Sequence, residues 1–362
     1  MTQVMKRTIL LLTATLLSAG MTYAQLNKAE VKALGNFLSQ TSADGQTNAS
    51  ALGVGVNNIA AAPGIKVENG RIVEIDWRGK KLAGSLNLSN FPALQKVNVS
   101  DNKLTSLTLA NNPALVGINA AHNRLHAFTV SGCPQLQNIK LNRNNLSDLD
   151  LTTVPLLTTL NIAQNSFDAL DVSYAQNLKT LNATGNKLET LNVSGCQNLK
   201  SIYAAYNELS DITLAGLVNL QNLNVNGNRI LNLYLQDLPA LSALLCSDNH
   251  MARFAVNNCK NLSEIWAPYN DLTTFTVEDV PTLAFVNVEW NDLTTLDLSG
   301  LNFLQRVNAS NNQLITLDVS NDPMLRTVNV SYNDMLSDLR TENCPMLQNV
   351  IGDTEWDPFW DN

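Results

Sequence analysis

The stretch Leu94 to Asn102, LQKVNVSDN, comes back every 21 residues: LVGINAAHN, LQNIKLNRN, LTTLNIAQN, and so on down the chain. Its leucine recurs at Leu115, Leu136, Leu157, Leu178, Leu199, Leu220, Leu241, Leu262, Leu283, Leu304 and Leu325. Its asparagine recurs in step, from Asn102 through Asn186 to Asn333. A period held over so many units excludes an ordinary globular core. One unit is too small to bury its own apolar face, so successive units must stack and bury it against each other.

The residues within a unit say what is stacked. Val97 and Val99 alternate with Lys96, Asn98 and Ser100, the period of two that marks a strand with one buried face. Leu104, Leu107 and Leu109 repeat the motif after the asparagine, and 21 residues leave no room for a full helix on the return path. Each unit reads as two short extended segments joined by two turns. The second turn is rich in Gly, Cys, Asp and Pro, as in SGCP at 131–134, NDP at 321–323 and NCP at 343–345. The recurring asparagine is expected to leave the strand inward, where its amide must bond backbone groups of its own and neighbouring turns, because buried polar groups need partners.

The pattern L-x-x-L-x-V-x-x-N-x-L resembles the leucine-rich repeat family, and the nested half-repeat with its Cys-tolerant second turn resembles the short 21-residue bacterial class. The resemblance covers residues 72–350. It implies a curved, mainly β repeat solenoid with a parallel sheet on the concave face and short extended segments on the convex face. It also implies a binding protein, since members of the family are mostly that. The leader and the segment PGIKVENGRIVEIDW are similar to the amino-terminal caps of exported Bacteroidetes repeat proteins.

The two ends depart from the repeat. Residues 1–24 have the form of a signal peptide: Lys6 and Arg7, an apolar run from Ile9 to Leu17, and the small-residue site Thr22-Tyr23-Ala24. Residues 25–71 are expected to form an amino-terminal cap. A helix over 25–40 carries Leu26, Val31, Leu34 and Leu38, a loop follows over 41–58, and a hairpin turns at Asn69-Gly70. Ile72, Ile75 and Trp77 then stand 22 residues ahead of Leu94, Val97 and Val99, with Lys80 in the place of the asparagine. After Asn333 the register slips by one residue. In 351–362 the rings of Trp356, Phe359 and Trp360 are expected to cover the last open layer.

Several function classes find no support. The chain carries 23 basic and 31 acidic residues, with no basic patch, so neither nucleic acid nor membrane insertion is expected. Cys133, Cys196 and Cys259 are 63 residues apart, three strand spacings each, too far for a disulfide. All five cysteines read as small buried apolar residues. The three histidines hold no metal spacing, and no phosphate loop or nucleophile elbow occurs, so neither a cofactor nor an enzyme is expected. Asp150, Asp171, Asp297 and Asp318 share a column on the back face, readable as solvated acids or as a cation site.

The informative positions are the exceptions on the exposed sheet face. The column that begins at Asn98 is mostly Asn, and Lys140, Tyr203, Leu245 and Trp266 interrupt it. The column just before the buried asparagine carries Tyr206, Tyr269, Trp290 and Tyr332, and Phe285 shares the strand face of Asn287. Tyr203, Tyr206, Leu245, Trp266, Tyr269, Phe285 and Trp290 are therefore the candidate binding residues. Trp266, Tyr269, Phe285 and Trp290 are expected to form one cluster, flanked by Glu264 and Glu289. Such a patch suits a protein partner or adhesion. It also suits a carbohydrate stacked on the rings, or self-association as a structural surface protein. The expected location is extracellular or cell surface, with the periplasm open.

Overall fold

The structure is a computed structural model that describes residues 26–56, 59 and 62–353. The expected signal peptide and the rings of Trp356, Phe359 and Trp360 lie outside the described residues.

About 13 turns stack into a β-solenoid. Its long face is a single sheet of 15 strands, taken in chain order. Neighbouring strands in the repeat pair parallel and in one register: Leu181 opposes Ile202, Ile202 opposes Leu223, and Leu244 opposes Ile265. The back carries four separate sheets of two or three strands, among them one built from Asn232–Gln236, Arg253–Asn257 and Thr274–Glu278. The fold follows from the alternation. In one turn Leu178, Leu181, Ala183, Leu188 and Val193 are each no more than 1% exposed. Burial of a large aliphatic side chain contributes about 1.5–3 kcal/mol, so every turn adds its own share of core and rests on the next.

The recurring asparagine is the polar rung of this core. Asn186 Nδ2 donates to Ala183 O in its own turn at 3.0 Å and to Ile162 O one turn earlier at 3.1 Å. Its Oδ1 accepts the N–H of Phe167 at 3.2 Å. Asn207, Asn228, Asn249 and Asn291 repeat the arrangement. The carbonyls freed where the strand turns inward are thereby bonded without water.

At the amino-terminal end, helix α1 (Lys28–Leu38) is shorter than the expected 25–40 because Asn27 caps it, accepting from the N–H groups of Ala29 and Glu30. It buries Leu34, Phe37 and Leu38, and Phe37 stacks on Trp77 with ring centroids 5.9 Å apart. The expected loop over 41–58 contains a single helical turn, α2 (Asn48–Ala51), capped by Thr47. The hairpin forms as expected from β1 (Ile65–Glu68) and β2 (Arg71–Asp76), with Asn69 at φ +50° and Gly70 at +75°. Buried Glu30 ties helix to hairpin by accepting from Arg71 Nη1 and the N–H of Ile72, both at 3.1 Å.

At the other end the slip after Asn333 is real: Thr316 opposes Asp338 and Thr327 opposes Asn349, an offset of 22. The last layer is less covered than those before it. Leu339, Leu347 and Val350 are half-buried, whereas Leu317, Leu325 and Val328 are fully buried.

All five cysteines are free, and Cys344 corrects the expectation that all are buried. It sits in the last turn of the described residues and is half-buried. The thiols also do more than fill space. Cys196 Sγ donates to Val172 O at 3.1 Å and Cys344 Sγ to Val319 O at 3.0 Å. Their column also holds Asn112, whose amide donates to Leu88 O at 2.9 Å. Burial pushes the Cys196 thiol up to about 11 and moves the other four, Cys344 included, in the same direction, so access decides which reacts. Since the thiolate is the reactive form, an alkylating reagent at pH 8 should modify Cys344 first. The other four should react only after denaturation. Mass mapping of the modified sites checks both.

Candidate binding surface

On the long sheet, the second outward position of each strand is usually an asparagine whose side chain ends the strand. Asn182 Oδ1 accepts the N–H of Thr184, Asn224 that of Asn226, and Asn308 that of Ser310, at 3.1–3.3 Å. Tyr203, Leu245 and Trp266 give that bond up and put an apolar side chain there. The register places Leu245 beside Trp266, while Tyr203 is flanked on both sides by Asn182 and Asn224.

The rings meet in two pairs. Trp266 lies against Phe285, centroids 4.4 Å apart and planes 39° apart. Tyr269 lies parallel to Trp290, at 6.1 Å and 13°. Each pair joins adjacent turns. The first sits on the strands Glu264–Trp266 and Phe285–Asn287, the second in the turn that follows them. Tyr206 is separate. Its ring lies over Gly227, where an added Cβ would come within 2.6 Å of Tyr206 Cδ1. It stands three turns from Tyr269, about 14 Å at the usual strand spacing. Tyr206, Tyr269 and Trp290 are each more than half exposed.

No protein-family model matches the sequence, and no curated protein matches it. Solved structures do. YopM, a leucine-rich effector protein of Yersinia pestis, is 22% identical over 75% of this chain and 86% of its own, with a TM-score of 0.52. The LRIM1/APL1C complex matches at 19% identity over 70% of this chain and 53% of that one, with a TM-score of 0.54. The functional domain of InlJ from Listeria monocytogenes is 23% identical over 73% and 54%, with a TM-score of 0.46. The chain spans about half the length of the last two. The fold is the leucine-rich-repeat solenoid.

Within this leucine-rich-repeat frame, Tyr206, Tyr269, Trp290 and Tyr332 hold a backbone position that disfavours them. Every residue of their column is left-handed, from Asp101 at φ +59° to Tyr332 at +59°, with Trp290 at +53°. A side chain there costs about 1–2 kcal/mol, which Gly avoids and Asn or Asp reduces. The back turn supplies an internal control. Its left-handed column contains eleven residues between Asn90 and Asn343, and every one is Gly, Asn or Asp. Only on the sheet side do rings occupy this geometry. The sequence showed the rings but not the strain, because φ is set by where the turn leaves the strand.

Carboxylates border the rings. Trp266 Nε1 donates to Glu264 Oε2 at 3.2 Å, and Glu289 accepts from the amides of Asn287 and Asn308 at 3.1 and 2.9 Å. On the back of the repeat, Asp150, Asp171, Asp297 and Asp318 each accept the N–H two residues ahead, so this column builds turns. Hydrogen bonds from Thr152 and Ser173 hold the first two carboxyls below the ordinary range. Among the described residues no three His, Cys, Asp or Glu side chains are placed to hold a metal ion. No described helix is long and apolar enough to cross a membrane.

Proposed function

We infer that this chain is an exported, non-enzymatic binding protein that recognises a protein partner through the aromatic face of its long sheet. The observation that carries this reading is the placement of Tyr269 and Trp290 in left-handed backbone that the back turn reserves for Gly, Asn and Asp. Strained positions kept with exposed rings point to function more than to packing. Leu245, Trp266 and Phe285 extend the surface, and Tyr203 and Tyr206 form a second contact area toward the amino terminus. Trp and Tyr are the residues on which interface energies concentrate. Export rests on the form of residues 1–24. A second reading has its own support: the near-parallel Tyr269–Trp290 pair beside a column of amides would also suit a sugar ring stacked on an aromatic plane.

The test compares the wild type with Trp266→Ala/Trp290→Ala on a glycan panel and a protein extract, followed by titration with the purified ligand. Both indoles are exposed, so the variant should unfold within about 1 kcal/mol of the wild type. A purified protein partner should bind the variant at least tenfold more weakly, as expected for hot-spot truncation. Undiminished affinity for a folded variant would move the site elsewhere. Loss confined to a glycan would select the second reading.

A further inference from the structure

The aromatic surface is bordered by carboxylates that, among the described residues, form no ion pair with a Lys or Arg side chain. Glu264 and Glu289 face outward from the sheet, and Asp248 stands in the left-handed column. Asp271 and Asp292 follow Tyr269 and Trp290 by two residues, beyond the buried Asn270 and Asn291, and are exposed. Elsewhere on this face carboxylates have cationic neighbours: Asp101 meets Arg78 at 2.8 Å and Glu208 meets Arg229 at 2.9 Å. Among the described residues, none of the five around the rings has a Lys or Arg nitrogen within 4.0 Å. Asp271 faces only His250 Nδ1, at 3.6 Å. The bonds that Glu264 and Glu289 accept come from an indole N–H and two amides, which orient the carboxylates and leave their charge uncompensated.

A ring face is itself the negative end of a quadrupole and attracts cations. Rings and carboxylates here favour the same sign of partner. We propose that the surface built on Trp266, Phe285, Tyr269 and Trp290 takes a cationic segment of a partner protein. The guanidinium or ammonium groups of that segment lie over the indoles and against Glu264 and Glu289. This rests on the protein-binding reading above and names the chemistry of the partner. Arg306, opposite Phe285 on the next strand, bounds the surface on the carboxy-terminal side. Toward the amino terminus the same rim turns basic at Arg229, Lys187, Arg124 and Lys103, so the cationic segment is directed to the turns between Leu245 and Asp292. A neutral sugar can use these carboxylates only as hydrogen-bond acceptors and is not drawn by their charge, and an acidic peptide is repelled by them.

The test titrates the full chain with a synthetic peptide of alternating Gly and Arg, with the matching Gly-Glu peptide as control, at low and physiological salt. The wild type should bind the Arg peptide and not the Glu peptide. Trp266→Ala/Trp290→Ala should weaken it about tenfold. Glu264→Gln/Glu289→Gln, which keeps the shape, should weaken it severalfold and flatten the salt dependence. Glu189→Gln/Glu278→Gln removes the same charge from the back and should change affinity by less than twofold. Failure of the wild type to bind the Arg peptide overturns the proposal, as does equal weakening by the front and back charge variants, the mark of diffuse attraction. If the Trp variant loses its protein partner while the Arg peptide never binds, the partner's chemistry is wrong and the binding reading stands.

Discussion

Asn186→Ala should lower stability by about 1–3 kcal/mol, although it removes only a small polar side chain from one turn in about 13. The loss is not cavity volume. Without the amide, the N–H of Phe167 is left without a partner inside a stack that water does not reach, and the carbonyls of Ile162 and Ala183 keep only the bonds from Asn165 and Asn207. An unpaired buried group loses its full solvation, which exceeds what a typical hydrogen bond contributes net. Asn182→Ala, four residues earlier on the open face, breaks one bond to Thr184 N that water can replace, and should change stability by less than about 1 kcal/mol. Chemical denaturation of both variants, with hydrogen exchange at Phe167, separates the two cases. Equal unfolding midpoints would sink the ladder explanation.

The second large effect is pH-dependent and comes from Asp322. This carboxyl is fully buried in the back-turn column that it shares with Asn112. Its Oδ1 accepts the N–H of Leu301 at 2.6 Å, while its Oδ2 has no partner. Asn112 shows how a polar side chain is satisfied at this otherwise mostly apolar position, since it accepts from Phe91 N and donates to Leu88 O, both at 2.9 Å. Ionised Asp322 can accept but not donate. Burial pushes it up to about 7, and the carboxylates of Asp318 and Asp297 add to the shift. The fold therefore holds a proton that the unfolded chain has released above about pH 4. That contribution to stability is complete below the unfolded value and is lost as pH rises through 7, a few kcal/mol in all. Asp322→Asn supplies the donor permanently. It should be the more stable protein at pH 8, by about 3 kcal/mol, with the gap to wild type closing toward pH 5. Parallel denaturation midpoints for the two proteins from pH 5 to 8 would contradict this. Asp150 and Asp171, held low by hydrogen bonds, lose their contribution only as pH falls below about 4, outside this window.

Much of the fold is legible in the chain because alternation and period act through burial, which the residue types report directly. Leu94 and its successors could face only inward, and the slip after Asn333 showed in the sequence as it does in the pairing. What the sequence left unread depends on backbone geometry. The cysteines look apolar in a sequence, and most of their column is apolar, as at Val154, Leu217 and Val280; only the geometry shows that Cys196 and Cys344 also donate to a carbonyl there, as Asn112 does. The rings of Trp266, Tyr269, Phe285 and Trp290 could be listed from the repeat. Their division into two pairs could not, since it depends on the strand being a pleated surface and the following turn being left-handed.

The constant 21-residue register of the long sheet through its middle turns has one more consequence, for distance. Every turn advances the surface by one strand spacing, about 4.8 Å, so positions along it are graduated like marks on a ruler. Tyr206 and Tyr269 stand three marks apart, and no side chain between them can alter that interval. Loss or duplication of one 21-residue unit between Tyr206 and Tyr269 would shorten or lengthen the interval by a single mark and leave the chemistry at both ends intact. In such a molecule the identity of a contact is written in one unit, and its spacing is written in how many units lie between.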